Sequence, residues 1–113
     1  MKKTLLILLF LFSITAFAQD VEKTTLAKIN LDKISASPNP FNEKTTIFYN
    51  SSSKANVNFI VQDLLGNIIH TEKVVTIKGR NSIVFYRNNL TAGVYIYNLK
   101  TKNKIISKRF VIK

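Results

Sequence analysis

The sequence predicts an all-β fold: an immunoglobulin-like antiparallel β-sandwich of about seven strands, preceded by a cleavable signal helix. Three observations carry this reading. From residue 34 onward apolar residues recur at a spacing of two, as in Val57, Phe59 and Val61 or Tyr95, Tyr97 and Leu99, and that period lines one face of a strand. Turn-forming residues interrupt these runs about every ten positions, the rhythm of a two-sheet sandwich. The chain has no cysteine. A disulfide framework, a thiol nucleophile and a metal-thiolate site are therefore excluded, and the domain must be held by its apolar core.

The first 18 residues read as an export signal. Lys2 and Lys3 precede an unbroken apolar run over residues 5–12, and Ala16-Phe17-Ala18 offers a small-x-small cleavage site before Gln19. A bilayer-spanning helix needs about 20 apolar residues, and Ser13, Thr15, Gln19 and Asp20 interrupt this one. Cleavage would leave 95 of the 113 residues, a length for one domain that buries about two-thirds of its unfolded surface. Residues 19–33 are polar and mixed in charge, with Leu26, Ile29 and Leu31 too sparse for a core. They read as a linker, with a short amphipathic helical turn over 25–34 as the alternative. The sandwich is expected over residues 34–113.

Its strands are expected at 34–37, 45–50, 57–63, 68–77, 81–86, 93–101 and 104–112. Ile83 and Phe85 should share the inward face of the fifth. In the last strand Ile106, Lys108, Phe110 and Ile112 form a more apolar face than Ile105, Ser107, Arg109 and Val111. Gly66-Asn67 and Lys78-Gly79-Arg80-Asn81 supply the positive φ of tight hairpins, and residues 51–54 form a polar loop.

Two motifs stand out. In Pro38-Asn39-Pro40 each proline drives the preceding residue into extended geometry and lacks an N–H for pairing, so the first strand must stop and cross over. Phe41 then plugs the crossing. In Leu90-Thr91-Ala92-Gly93-Val94-Tyr95 the leucine anchors a loop, the glycine permits the bend, and the tyrosine hydroxyl ties back to upstream backbone. Asp63, two residues before Leu65-Gly66, reads as a turn-stabilising side chain.

Taken in order, SPNPFN, VQDLLGNII, KGRNSIVF, LTAGVYIYNL and a basic last strand ending in lysine resemble the C-terminal sorting domain (type A) of the type IX secretion system. The resemblance covers about residues 34–113. It implies a cargo of Bacteroidetes-type bacteria that crosses the inner membrane on a Sec-type signal. An outer-membrane translocon would then recognise the folded domain, and a sortase-like surface peptidase would cut it off at the cell surface. Recognition would map to Val94, Tyr95, Ile96, Tyr97 and Leu99, and to Lys108, Arg109, Val111 and Lys113. Asn67 and Asn98 depart from the family pattern, where arginine is common.

No catalytic constellation accompanies these motifs, so the reading is non-enzymatic, without cofactor or metal. His70 is the single histidine and reads as a solvent-facing strand residue. The six carboxylates are scattered, no G-x-S-x-G elbow occurs, and three glycines cannot build a phosphate cradle. Asn50-Ser51-Ser52 and Asn89-Leu90-Thr91 fit a glycosylation sequon but read as turns. Removing Lys2 and Lys3 lowers the 17 basic residues to 15 against 6 acidic ones, a net charge of +9. Export argues against nucleic acid as the partner, leaving a receptor or an anionic surface glycan. Lys100, Lys102, Lys104, Lys108, Arg109 and Lys113 crowd the last 14 residues, either as solvated cations that discourage edge pairing or as a surface that a receptor reads. Two rival readings follow: a small carbohydrate-binding or adhesive module stacking sugars on Tyr86, Tyr95 and Tyr97, and a truncated remnant of a larger cargo protein. A monomer is expected.

Overall fold

Each expected strand forms, with its ends within three residues of the expected positions. The computed structural model describes residues 28–113. The signal, its cleavage residues Ala16, Ala18 and Gln19, and the first part of the linker lie outside the described residues. The strands are β1 (Leu31–Ser37), β2 (Lys44–Ser51), β3 (Ala55–Gln62), β4 (Ile68–Thr76), β5 (Gly79–Tyr86), β6 (Gly93–Lys100) and β7 (Ile105–Ile112). They make two antiparallel sheets, ordered β1-β2-β5 and β4-β3-β6-β7. The chain changes sheet between β2 and β3, β4 and β5, and β5 and β6, as in immunoglobulin-like sandwiches.

The inward residues of both sheets meet in a largely aromatic core. Ile47 and Tyr49 of β2, Phe59 and Val61 of β3, Ile83 and Phe85 of β5, and Tyr95, Tyr97 and Leu99 of β6 are all buried. Phe110 of β7 is the hub. Its ring stacks on Tyr97 and Phe85, each at 5.3 Å between centroids, and meets Phe41 edge-on at 5.2 Å. Such pairs contribute about 0.5–1.5 kcal/mol beyond the area they bury. Phe110 and Ile112 are the buried members of β7, so the more apolar face is the inward one. Tyr49 carries a polar group into the core and satisfies it against the Thr76 hydroxyl at 2.6 Å. Burial pushes the Tyr49 phenol above its ordinary pKa despite that bond, and burial alone does the same to Tyr97.

The first strand begins at Leu31 and not at residue 34. Leu31 and Asp32 pair with Ser51 and Asn50, and Asn30 exchanges hydrogen bonds with Ser52, its N–H donating to Oγ and its carbonyl accepting from the amide. Residues 31–34 are thus strand, neither linker nor helical turn. The register slips between Asp32 and Ser35, where Lys33 has φ of 51°. That bulge breaks the alternation by which a strand is read. His70 is likewise less exposed than expected: its ring packs edge-on against Phe85 and Phe59 at 5.4 and 5.9 Å, and Glu72 lies 3.7 Å away.

The strand directions sort the connections to two ends. Residues 38–43, 63–67, 87–92 and 111–113 lie at one end, which holds the Pro38-Asn39-Pro40 segment, the Asp63 turn and the tyrosine corner. Residues 28–30, 52–54, 77–78 and 101–104 lie at the other.

Candidate functional site

The motif end is built around the last strand, and the Pro38-Asn39-Pro40-Phe41 segment is its strap. Both X–Pro peptides are cis. With its ladder stopped by the prolines, the chain leaves the first sheet and lies along the outer edge of β7 in the second. Phe41 forms a parallel bridge to Ile112: its N–H donates to the Val111 carbonyl at 2.9 Å, and its carbonyl accepts from the Lys113 amide at 2.8 Å. The Asn39 side chain extends this pairing. Its Oδ1 accepts from the Val111 N–H at 2.9 Å, and its Nδ2 donates to the Arg109 carbonyl at 3.4 Å. Meanwhile the Phe41 side chain is inserted beside Phe110 in the core. Thr45, itself buried, donates to the Pro38 carbonyl at 2.7 Å and holds the strap from the other side.

This strap divides the β7 edge in two. The main-chain groups of Val111, Lys113 and Arg109 (carbonyl) face outward and are occupied. By the period of two, Ile105, Ser107 and the Arg109 N–H also face outward, and no main-chain group pairs with them. The open half is flanked by the exposed Lys104, Lys108 and Arg109. Among the described residues no lysine or arginine forms a salt bridge, so this charge is not neutralised from within.

Neighbouring loops are braced by side-chain hydrogen bonds. In the β3–β4 turn Asp63 Oδ1 accepts from the Leu65 and Asn67 amides, and Oδ2 accepts from Asn67 Nδ2, all at 2.9 Å. The Asn67 side-chain bond, with the backbone amides, holds the Asp63 carboxyl below its ordinary pKa. Gly66 closes the turn at φ of 89°, where a side chain would be strained. The turn displays Leu64 and Leu65 to solvent, 63% and 89% exposed. Tyr95 ties the β5–β6 corner, its hydroxyl donating to the Thr91 carbonyl at 2.7 Å, with Leu90 packed on the core and Gly93 at φ of 152°.

Arg87 was not singled out by sequence reasoning, yet it ties three segments together. Its Nε donates to the Leu90 carbonyl at 2.9 Å, and its Nη1 donates to the main-chain oxygen of Lys113 at 2.6 Å and to that of Asn42 at 3.4 Å. All three acceptors are backbone, so no residue pattern could have signalled the role.

The residues expected to carry recognition are not one surface. β6 lies between β3 and β7 and has no free edge. Tyr95, Tyr97 and Leu99 point into the core, while Val94 and Ile96 lie on the outer face. Lys108, Arg109 and Lys113 are exposed. The idea of a sugar-stacking tyrosine row fails on the same ground: Tyr95 and Tyr97 are buried, and Tyr86 is exposed on the other sheet. Among the described residues no cluster of three metal-ligating side chains forms around His70.

Residues 35–113 match the family described as the secretion system C-terminal sorting domain. The chain belongs to that family. A sorting domain of this kind directs export through the type IX secretion system, and the family is non-catalytic in general. The sorting domain shares its fold with part of dimeric latent PorU from Porphyromonas gingivalis, with a TM-score of 0.62 and 19% identity over 78% of this chain. The match spans 10% of the PorU chain. A β-glucosidase, EmGH1 from Erythrobacter marinus, aligns at a TM-score of 0.46 and 10% identity over 76% of this chain and 15% of its own, too distant for any argument. No curated protein sequence matches the sorting domain.

Proposed function

We propose that the open, basic half of the β7 edge is the contact by which the outer-membrane translocon recognises this sorting domain. The supporting observation is that the strap covers residues 109–113 of that edge and stops, leaving Ile105, Ser107 and the Arg109 N–H unpaired between Lys104, Lys108 and Arg109. A strand of the receptor would add to these groups, with main-chain bonds for grip and acidic side chains for register. Lys113, Val94, Ile96 and Val111 would border the contact, whereas Tyr95, Tyr97 and Leu99 would serve it only by holding the strand in place. A Sec-type signal delivers the chain to the periplasm, a surface peptidase removes the domain after transit, and the folded domain travels as a monomer. The chain is then a cargo, or the sorting end of a larger one, destined for the cell surface or medium.

Deleting residues 108–113 is a poor test, since it removes Phe110 and Ile112 from the core. The informative pair is R109P and R109Q in a reporter fusion. Both remove one charge, but only proline removes the outward N–H, a change that edge strands tolerate. Both variants should fold. R109P should accumulate in the periplasm of a host with the translocon, and R109Q should be exported at a modestly reduced yield. Equal export of both variants would refute strand addition at this edge.

A further inference from the structure

We infer that the opposite end of the sandwich carries a second binding site, a groove for an acidic polysaccharide. The site is a different surface from the sorting contact: it lies on the outer face of the sheet and not on the β7 edge, although Lys100 within it pairs in register with Ile105 at the start of that edge. A concavity of about 710 Å³ opens there on the outer face of β4, β3 and β6, lined by Lys54, Lys73, Lys100 and Lys102 with Asn56 and Asn58 between them. No carboxylate lines it. The register makes the arrangement specific: Asn58 pairs with Lys73 on one side and Lys100 on the other. Lysine, asparagine and lysine thus form a row across three strands, the two ammonium groups carried on strands roughly 10 Å apart. Glu72, adjacent to Lys73 in sequence, faces the other side of β4 and pairs with His70. Lys78 and Lys104 stand on the neighbouring turns.

The chemistry of the groove selects the ligand. β3 and β6 spend their main-chain groups in ladders on both sides, and β4, at the sheet edge, on one, so the floor between the lysines offers side-chain donors in excess over acceptors. A sugar chain bearing carboxylates and hydroxyls supplies acceptors along its length, whereas a peptide also brings N–H groups that need partners. The site is concave, which suits a chain better than a flat bilayer. It contains no aromatic residue, and stacking on aromatics is how single-stranded nucleic acids are held. The cations are all lysine, whose compact hydrated charge suits a flexible polyanion more than the planar, bidentate contacts that arginine makes. Unneutralised lysines on one face repel each other, and a bound polyanion relieves that repulsion and stabilises the fold through linkage.

The test is binding of polygalacturonate to the purified protein at low ionic strength, compared with poly-glutamate, anionic phosphatidylglycerol vesicles and neutral dextran. Polygalacturonate should bind best, should raise Tm, and should weaken steeply with added salt. K73Q/K100Q should weaken its binding at least tenfold, and K33Q/K44Q, which removes the same charge elsewhere, less than threefold. Equal losses in the two variants would reduce the effect to net charge and overturn the site. Absence of binding, or tighter binding to poly-glutamate or vesicles, would overturn the choice of ligand and with it the proposal.

Discussion

Replacing Asn39 by alanine should loosen the end of β7 while sparing the core, and the size of the effect follows from two bonds. Asn39 Oδ1 accepts from the Val111 N–H at a good distance of 2.9 Å, whereas Nδ2 reaches the Arg109 carbonyl only at 3.4 Å. Both lie at the surface, so water replaces what alanine removes and no buried group is orphaned. The loss is then near the middle of the range for an ordinary hydrogen bond, about 1 kcal/mol. For a domain of this size that is a fall in Tm of about 4–8 °C. Hydrogen exchange locates the effect: protection of the Val111 amide should drop about fivefold, while Phe59 and Tyr97 change only with global stability. N39D separates the two bonds. It keeps an acceptor for Val111 and places a carboxylate against the Arg109 carbonyl, so Val111 should stay protected while overall stability still falls. Unchanged protection of Val111 in N39A would refute the strap, and a loss above about 3 kcal/mol would show that Asn39 supports more than these two groups.

Three further outcomes are expected. Y49F leaves the buried Thr76 hydroxyl without its partner and should cost about 1–3 kcal/mol in urea titration, most of it recovered in Y49F/T76V, where neither polar group remains. The Asp63 carboxyl is held low in the folded state, so its stabilising contribution is complete above the unfolded pKa and is lost as pH falls below about 4; D63N should remove that part of the acid sensitivity, read from Tm against pH. The Tyr49 and Tyr97 phenols are raised by burial, so the stability they support is full below about pH 10 and falls as pH rises through their folded values; tyrosinate absorbance should appear together with unfolding at these two positions.

The core was legible because alternation survives in strands that are buried on one face. Val57, Phe59 and Val61, or Ile83 and Phe85, could be assigned from spacing alone, and the tyrosine corner announced itself by residue type. The start of β1 was hidden because a bulge at Lys33 shifts the period by one. That β6 is an interior strand could not be read, for a different reason. Spacing gives a strand's inward face but not its neighbours, and sheet order decides whether that strand has an edge. The strap was half visible: two prolines announce that pairing with the first sheet ends, but nothing local says that Asn39 and Phe41 pair with a strand about 70 residues further on. Arg87 and the Lys73-Asn58-Lys100 row are invisible for the same reason, since each exists only once distant strands are in register.

These long-range pairings bear on how a sorting signal can report that it has itself folded. The open half of the β7 edge has a defined end only because Asn39 and Phe41 occupy the rest, and they reach it only after the prolines redirect the chain from the first sheet. Phe110, in the same strand, lies among Phe41, Phe85, Tyr95 and Tyr97, which come from the strap and from both sheets. Arg87 ties the β5–β6 connection to Lys113 across the same end. An unfolded chain carries the same lysines and arginine but no extended edge with alternate N–H groups held outward. A receptor that requires both backbone geometry and charge therefore discriminates the folded domain from its unfolded form, and the discrimination is built from contacts that link the first strands to the last.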